Sequence, residues 1–301
     1  MALGTNHVTN ATAGTFIPEL WSDEIIAAYK QNLVMANLVS KMSFKGKKGD
    51  TLHIPKPTRG TAALKAASAQ VTLQAATESE IQVLVNKHYE YSRLIEDITE
   101  VQALASLRKF YTGDAGYALA KQVDTDLVLL GRGVNGGDGT AAYGGAIIGS
   151  GNTAYTGANA AAISDAGIRA AIQKLDDADV PMDGRVLVLP PVARNVMMGL
   201  ARFTEQAFTG EVGGGNTIRN GEIGNVYGVK VFVTTNADTT TGGDRVGLMF
   251  TKDAFVLAEQ MGVRSQTQYK QEYLGTLFTS DMLYGVKELR DEAAVAIAMP
   301  A

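Results

Sequence analysis

The chain has 301 residues, 46% of them hydrophobic, 19% charged and 7% aromatic. That is long enough to bury a core without covalent staples, and about 150 residues per domain makes two domains the prior. It is too apolar for a disordered or collagen-like chain. With 27 Lys+Arg against 31 Asp+Glu the net charge is −4, which argues against a basic nucleic-acid-binding surface. The absence of cysteine excludes disulfides, thiolate metal sites and a cysteine nucleophile, and fits folding in a reducing cytoplasm.

Residues 1–18 are polar, small and nearly uncharged, and read as an extended arm. Ser22 can cap a helix starting at Asp23, with Ile25, Ile26, Tyr29, Leu33, Ala36 and Val39 on one face and an end near Ser40. Lys41, Lys45, Lys47, Lys48, Lys56 and Arg59 then crowd a segment in which residues 51–54 alternate as a strand, stopped by Pro55 and Pro57. After a small-residue stretch at 58–80, Ile81, Val83, Val85, Tyr89 and Tyr91 predict one long period-2 strand carrying Glu78, Glu80 and Glu90 on its acidic limb. The two strands make a long hairpin, basic on one limb and acidic on the other.

Val101, Leu104, Leu107, Tyr111, Ala115, Leu119, Val123, Leu127 and Leu130 predict a single long helix, kinked at Gly113 or Gly116 and ended by Gly131. Ten glycines and two charges between 131 and 161 mark a loop at a domain seam. Residues 162–260 read as α/β. Ser164 caps a helix that stops before Pro181, 186–189 is a buried strand, and Pro190 and Pro191 open a helix to about Leu200. Residues 209–225 are glycine-rich again. Strands follow at 229–233, 246–250 and 254–258, with alternation through Tyr269, Tyr273, Leu277 and Leu283 and a closing strand from Glu292.

Catalytic chemistry needs convergent reactive groups, and few are on offer. The glycine-rich run at 131–139 follows a helix rather than a strand and lacks the lysine of a phosphate loop. Asp176, Asp177 and Asp179 fit a solvated helix end better than a metal loop. His53 and His88 lie on the two limbs of the hairpin without a third ligand, and read as polar strand positions. No GxSxG occurs. No catalytic, cofactor-binding or metal residue is therefore assigned. No apolar run approaches the ~20 residues needed to span a bilayer, and no signal-like segment opens the chain. A long exposed hairpin cannot bury itself, so it must lie on a neighbour.

Three segments carry a resemblance. Arg185-Val-Leu-Val-Leu-Pro-Pro-Val has the strand–proline–helix order, Gly221-Glu-Ile-Gly-Asn-Val-Tyr-Gly-Val-Lys-Val-Phe-Val-Thr-Thr-Asn the glycine-then-strand pattern, and Tyr284-Gly-Val-Lys-Glu-Leu-Arg-Asp-Glu-Ala-Ala-Val the closing segment. Together with the element order they resemble the major capsid protein of tailed double-stranded DNA bacteriophages, over nearly the whole chain. The resemblance implies an α+β Hong Kong 97-type capsid fold: N-terminal arm 1–42, E-loop hairpin 43–94, P domain 95–160 and 261–301 with a long spine helix 96–131, and A domain 161–260.

The resemblance further implies a structural protein, not an enzyme, that assembles into hexamers and pentamers of an icosahedral virion shell in the host cytoplasm. The packaged DNA lies inside without sequence-specific contact. The implied partners are a separate scaffolding protein, since the arm helix begins too early to leave room for a fused one, a portal protein and, optionally, a decoration protein. Lys45, Lys47, Lys48, Arg59, Glu78 and Glu80 are the expected inter-subunit residues. Some relatives join an E-loop lysine to a neighbour's asparagine. Lys65 sits at the expected tip, but its small, mildly apolar surroundings predict no cross-link. The rival readings are an α/β enzyme using the loop at 131–145 or 209–225 for a small ligand, and a tail or adaptor protein.

Overall fold

The structure, a computed structural model, describes residues 33–46, 48–56, 60–68, 70–71, 73, 78–102, 107–200 and 225–301. The expected helix from Asp23, most of the arm, the second glycine-rich stretch, Lys47 and Arg59 lie outside the described residues.

A four-stranded sheet is built in the order β1 (Ser40–Ser43), β10 (Phe255–Lys270), β11 (Gly275–Glu288), β4 (Lys87–Glu96). A six-stranded sheet runs β5 (Ile147–Ile148), β12 (Ala294–Met299), β9 (Arg245–Phe250), β6 (Val186–Leu189), β8 (Val229–Val233), β7 (Asn225–Val226). The hairpin strands β2 (Thr51–Lys56) and β3 (Ser79–Leu84) pair with each other and form a two-stranded sheet of their own among the described residues. β6 and β12 are buried throughout, as continuous apolar runs should be when both faces of a sheet are covered.

Helix α1 (Met35–Leu38) precedes β1, and α2 (Asp97–Gln102) and α3 (Leu107–Leu129) follow β4. α3 buries Ala115, Leu119, Val123 and Leu127, as the sequence stripe predicts. The single helix expected over 96–131 is thus described as two, with 103–106 outside the described residues. Gly113 and Gly116 lie inside α3, which is helical through both. Nor is Gly131 a left-handed end residue: it sits within a 3-10 turn over Leu130–Arg132, and a Cβ there would lie 2.5 Å from Cδ2 of Leu248. It is glycine so that the end of the spine can approach β9.

On the six-stranded sheet, α4 (Asp165–Asp177) buries Ile168, Ala171 and Leu175, and α5 (Pro191–Met198) buries Ala193 and Met197. Ser164 caps α4 by accepting from Gly167 N at 3.2 Å, and Pro191 opens α5, both as read from the sequence.

Two expected strands change sheets. Of residues 254–258, expected as a strand of the α/β unit, 255–258 begin β10 in the four-stranded sheet, and β12, expected to return with 261–301, pairs with β9 and β5 in the six-stranded sheet. Alternation identifies a strand but not its partner. Here the partner is set by two short linkers, 251–254 and 289–293, that cross between the sheets side by side.

Candidate inter-subunit surface

The root of the β2–β3 hairpin is a small apolar cluster. Phe44, Val83, Val85, Val256 and Ala258 are buried there, with Met42, Leu52 and Ile54 packed against them. Lys45 Nζ lies 3.1 Å from Glu259, Phe44 N donates to Glu259 O at 2.8 Å, and Gln260 donates to Gly49 O at 3.0 Å. The predicted long strand through Tyr91 breaks into β3 and β4 at Val85, whose N–H donates to Asp50 O at 2.7 Å. At that break the chain crosses Gly285 of β11 so closely that a Cβ would strike Leu84 O. The break thus reflects a crossing over another strand, which period-2 spacing does not encode.

Beyond the root the hairpin leaves the body. Every described residue from 60 to 78 is exposed, including Leu64 at 101%, Leu73 at 91% and Val71 at 66%. Lys48 and Glu78 are exposed at the two limbs. Glu80 accepts from Gln82 at 2.6 Å and faces His53 Nδ1 at 2.9 Å, and these two partners hold its carboxyl below the usual range, Gln82 foremost. His88, on β4, faces Asp281 at 3.1 Å, so the two histidines take separate carboxylate partners and form no joint site. Of the six residues singled out for inter-subunit contact, Lys45, Lys48, Glu78 and Glu80 are described and all four reach solvent.

A second surface was not expected from the sequence. The far end of the four-stranded sheet exposes Leu94, Ile98, Tyr269, Tyr273 and Leu274. They are held together by Asp97, whose N–H donates to Leu274 O at 3.0 Å and whose carboxylate accepts from Tyr269 Oη at 2.8 Å. The alternation of Tyr269 with Leu277 indicated a strand. That its outer end projects past any core shows only when β10 is seen to run 16 residues.

Several polar groups of the described interior are paired within the fold. Asp126 accepts from Tyr284 Oη at 2.7 Å and from Lys87 Nζ at 3.0 Å. Burial, then Asp126 beside it, holds the Tyr284 phenol well above its usual range. Asp124 accepts from Met35 N at 2.8 Å and from Asn236 at 3.1 Å, tying α1 to the spine. Its carboxyl is pushed up by burial. The glycine-rich loop that an enzyme would need open is tied down. Arg132 grips Asp238 at 2.7 and 3.1 Å, Tyr143 Oη donates to Asp238 at 2.6 Å, and Asn135 donates to Gly145 O at 2.7 Å. Asp176 pairs with Arg185 at 2.7 Å, and no group of three metal-ligating side chains occurs among the described residues. Among them, too, no helix is long and apolar enough to cross a membrane.

The sequence model of the phage capsid protein family matches residues 97–297, more than half the chain. A solved structure from Mycobacterium phage Che8 is 26% identical, with 94% of this chain and 97% of that chain aligned at a TM-score of 0.76. The capsid structure of the cyanophage P-SCSP1u is 19% identical over 99% of this chain and 96% of that one, at 0.75. The head structure of Helicobacter pylori bacteriophage KHP40 is 12% identical over 99% of each chain, at 0.74. These likenesses identify the architecture as the Hong Kong 97-type capsid fold. No curated protein matches the chain.

Proposed function

Because the chain belongs to the phage capsid protein family and is a structural major capsid protein of a multi-copy shell, we propose that its copies close into hexamers and pentamers of an icosahedral shell around double-stranded DNA. The observation that carries this reading is the E-loop. It is a two-stranded hairpin whose root packs on the body and whose described tip residues, Leu64, Val71 and Leu73 among them, are all exposed. An isolated hairpin is marginal in water, and a surface this exposed gains its stability from a neighbour. Rotational closure of one such heterologous contact gives rings, and rings of two sizes close a shell.

The apolar end of the four-stranded sheet, at Leu94, Ile98, Tyr269, Tyr273 and Leu274, supplies a second contact away from the E-loop root. Lys45, Lys47, Lys48, Arg59, Glu78 and Glu80 steer the encounter, since charges at an interface rim set rate and register more than affinity. The shell acts without a catalytic step. A scaffolding protein and a portal protein are its partners, a decoration protein is an optional one, and assembly takes place in the host cytoplasm. The net charge of −4 fits a wall that does not grip the packaged DNA.

Light scattering and negative-stain imaging test the proposal on protein made together with its scaffold. Closed particles of uniform size are expected. A monomer of 31.8 kDa as the sole species would overturn it.

A further inference from the structure

Three stretches of chain meet where the two sheets join. Residues 251–254 carry β9 into β10, residues 289–293 carry β11 into β12, and residues 130–136 follow the spine helix α3. The first two are laced together: Ala254 O accepts from Leu289 N at 2.8 Å, and Ala293 O accepts from Thr251 N at 3.2 Å. The third is pinned to the second by Asp291, whose two carboxylate oxygens each lie 3.0 Å from Gly136 N.

Glu288 ends β11 at this junction, and it is an anomaly there. Its Oε1 is buried with no hydrogen-bond partner. Its Oε2 occupies the space left by Gly133, where a Cβ would lie only 2.8 Å away. Its carboxyl also faces the Asp291 carboxylate. A glutamate contributes nothing to packing here that an apolar side chain would not, and an unpaired buried carboxylate oxygen is costly. The arrangement becomes satisfactory only when Glu288 carries a proton and donates it toward Asp291.

We propose that Glu288 is a proton-operated latch on this junction. Protonated, it hydrogen-bonds Asp291 and holds the end of the spine against the crossover between the sheets. Ionised, it sets two carboxylates against each other and loosens the crossover.

The charged groups around it agree. Asp291 comes from the 289–293 linker and Lys287 from its own strand, and only Lys287 favours the ionised form. β10 places Phe255 opposite it, Arg132 of the spine-end turn is engaged by Asp238, and Lys252, Asp253 and Arg290 on the linkers are solvent-exposed. Burial first, then Asp291, raises the Glu288 pKa from 4.5 to about 7. Between those two values the closed junction holds a proton that the opened chain releases. The latch therefore weakens as pH rises through that window, and the loss is complete above about 7.

The test is amide hydrogen exchange on the full-length protein from about pH 5.5 to about pH 8.5, corrected for intrinsic exchange. Protection at Gly136, Leu289 and Arg290 should fall roughly tenfold or more across the window in the wild type. It should stay constant in Glu288→Gln, which keeps the donor without the charge. A wild type with flat protection, or a Glu288→Gln variant that falls like the wild type, overturns the proposal. Should Glu288→Gln not fold, Asp291→Asn decides. By removing the facing charge it should move the midpoint to lower pH, and an unmoved midpoint rejects the latch.

Discussion

The closing strand and the E-loop tip make opposite use of similar residues. β12, with three alanines among its 6 residues, is buried in full between β5 and β9. The tip around Leu64 is as rich in alanine, yet all its described residues are exposed. Alanine content does not separate them; neighbours do. β12 enters a sheet already walled by α4 and the flanking strands, where small side chains close the last gaps. The described tip residues reach solvent instead, and the proposed function has this small-residue surface lie on another molecule. One region finishes the fold of a single chain, while the other, on the proposed function, is left for a second chain to finish.

The sharpest way to break that comparison is to remove the tip. Replacing residues 60–73 with a short Gly-Ser turn should abolish shells, because the surface awaiting a neighbour is gone. It should leave thermal unfolding of the subunit almost unmoved, since surface loop length changes stability by only about 0.6 kcal/mol per doubling. Shells of normal size from this variant would show that the tip bears no contact. The converse substitution belongs in the closing strand. Ile297 is fully buried among Ile147, Leu187 and Met249, so Ile297→Ala should cost about 2–5 kcal/mol of subunit stability in denaturant unfolding. A cost below about 1 kcal/mol would mean that the six-stranded sheet is not the rigid half.

A smaller effect is expected from the basic limb. Reversing Lys47 and Lys48 to Glu should slow assembly and flatten its dependence on salt, with subunit stability unchanged. Lys45 behaves differently, because its ammonium lies beside Glu259 of its own chain. Lys45→Glu sets two acids together at the root, so its effect appears as a destabilisation of a few tenths of a kcal/mol in the isolated subunit. Equal behaviour of all three lysines, read from assembly kinetics and melting together, would erase the distinction between root and limb.

Most strands and helices of the described residues were legible because their patterns are local. The Ser164 cap, Pro191 at the head of α5, the four buried residues of β6 and the stripe on α3 each follow from spacing within one element. What was not legible depends on partners distant in sequence. The division of the long strand at Val85 comes from crossing Gly285, and the transfer of β12 to the other sheet comes from the linker at 289–293. The apolar patch at Tyr269 and Tyr273 shows only once the length of β10 is known. The Glu288–Asp291 pair did carry a signal, an acidic residue at each side of a strand end, but many solvated strand ends look the same.

The smallest expected effect concerns Lys65, and it separates an interface held by area from one held by a bond. An amide cross-link needs a neutral amine, hence a lysine removed from water, and an asparagine whose carbonyl carbon is open to attack. Lys65 is exposed, as are the described residues on both sides of it, so any desolvation has to come from the neighbouring subunit. Two of the asparagines in the glycine-rich region are already engaged. Asn135 donates its amide to Gly145 O at 2.7 Å, and Asn159 both donates to Ala154 O at 2.9 Å and accepts from Thr156 N at 2.7 Å. Attack at either would dismantle the turn it holds, which leaves the exposed Asn152 as the sole open candidate of the three. Particles boiled in denaturant should therefore run as one band near 31.8 kDa, with Lys65→Ala indistinguishable from the wild type. A ladder of multimers that vanishes in Lys65→Ala would overturn this, and would make the E-loop tip a reactive element rather than a purely geometric one.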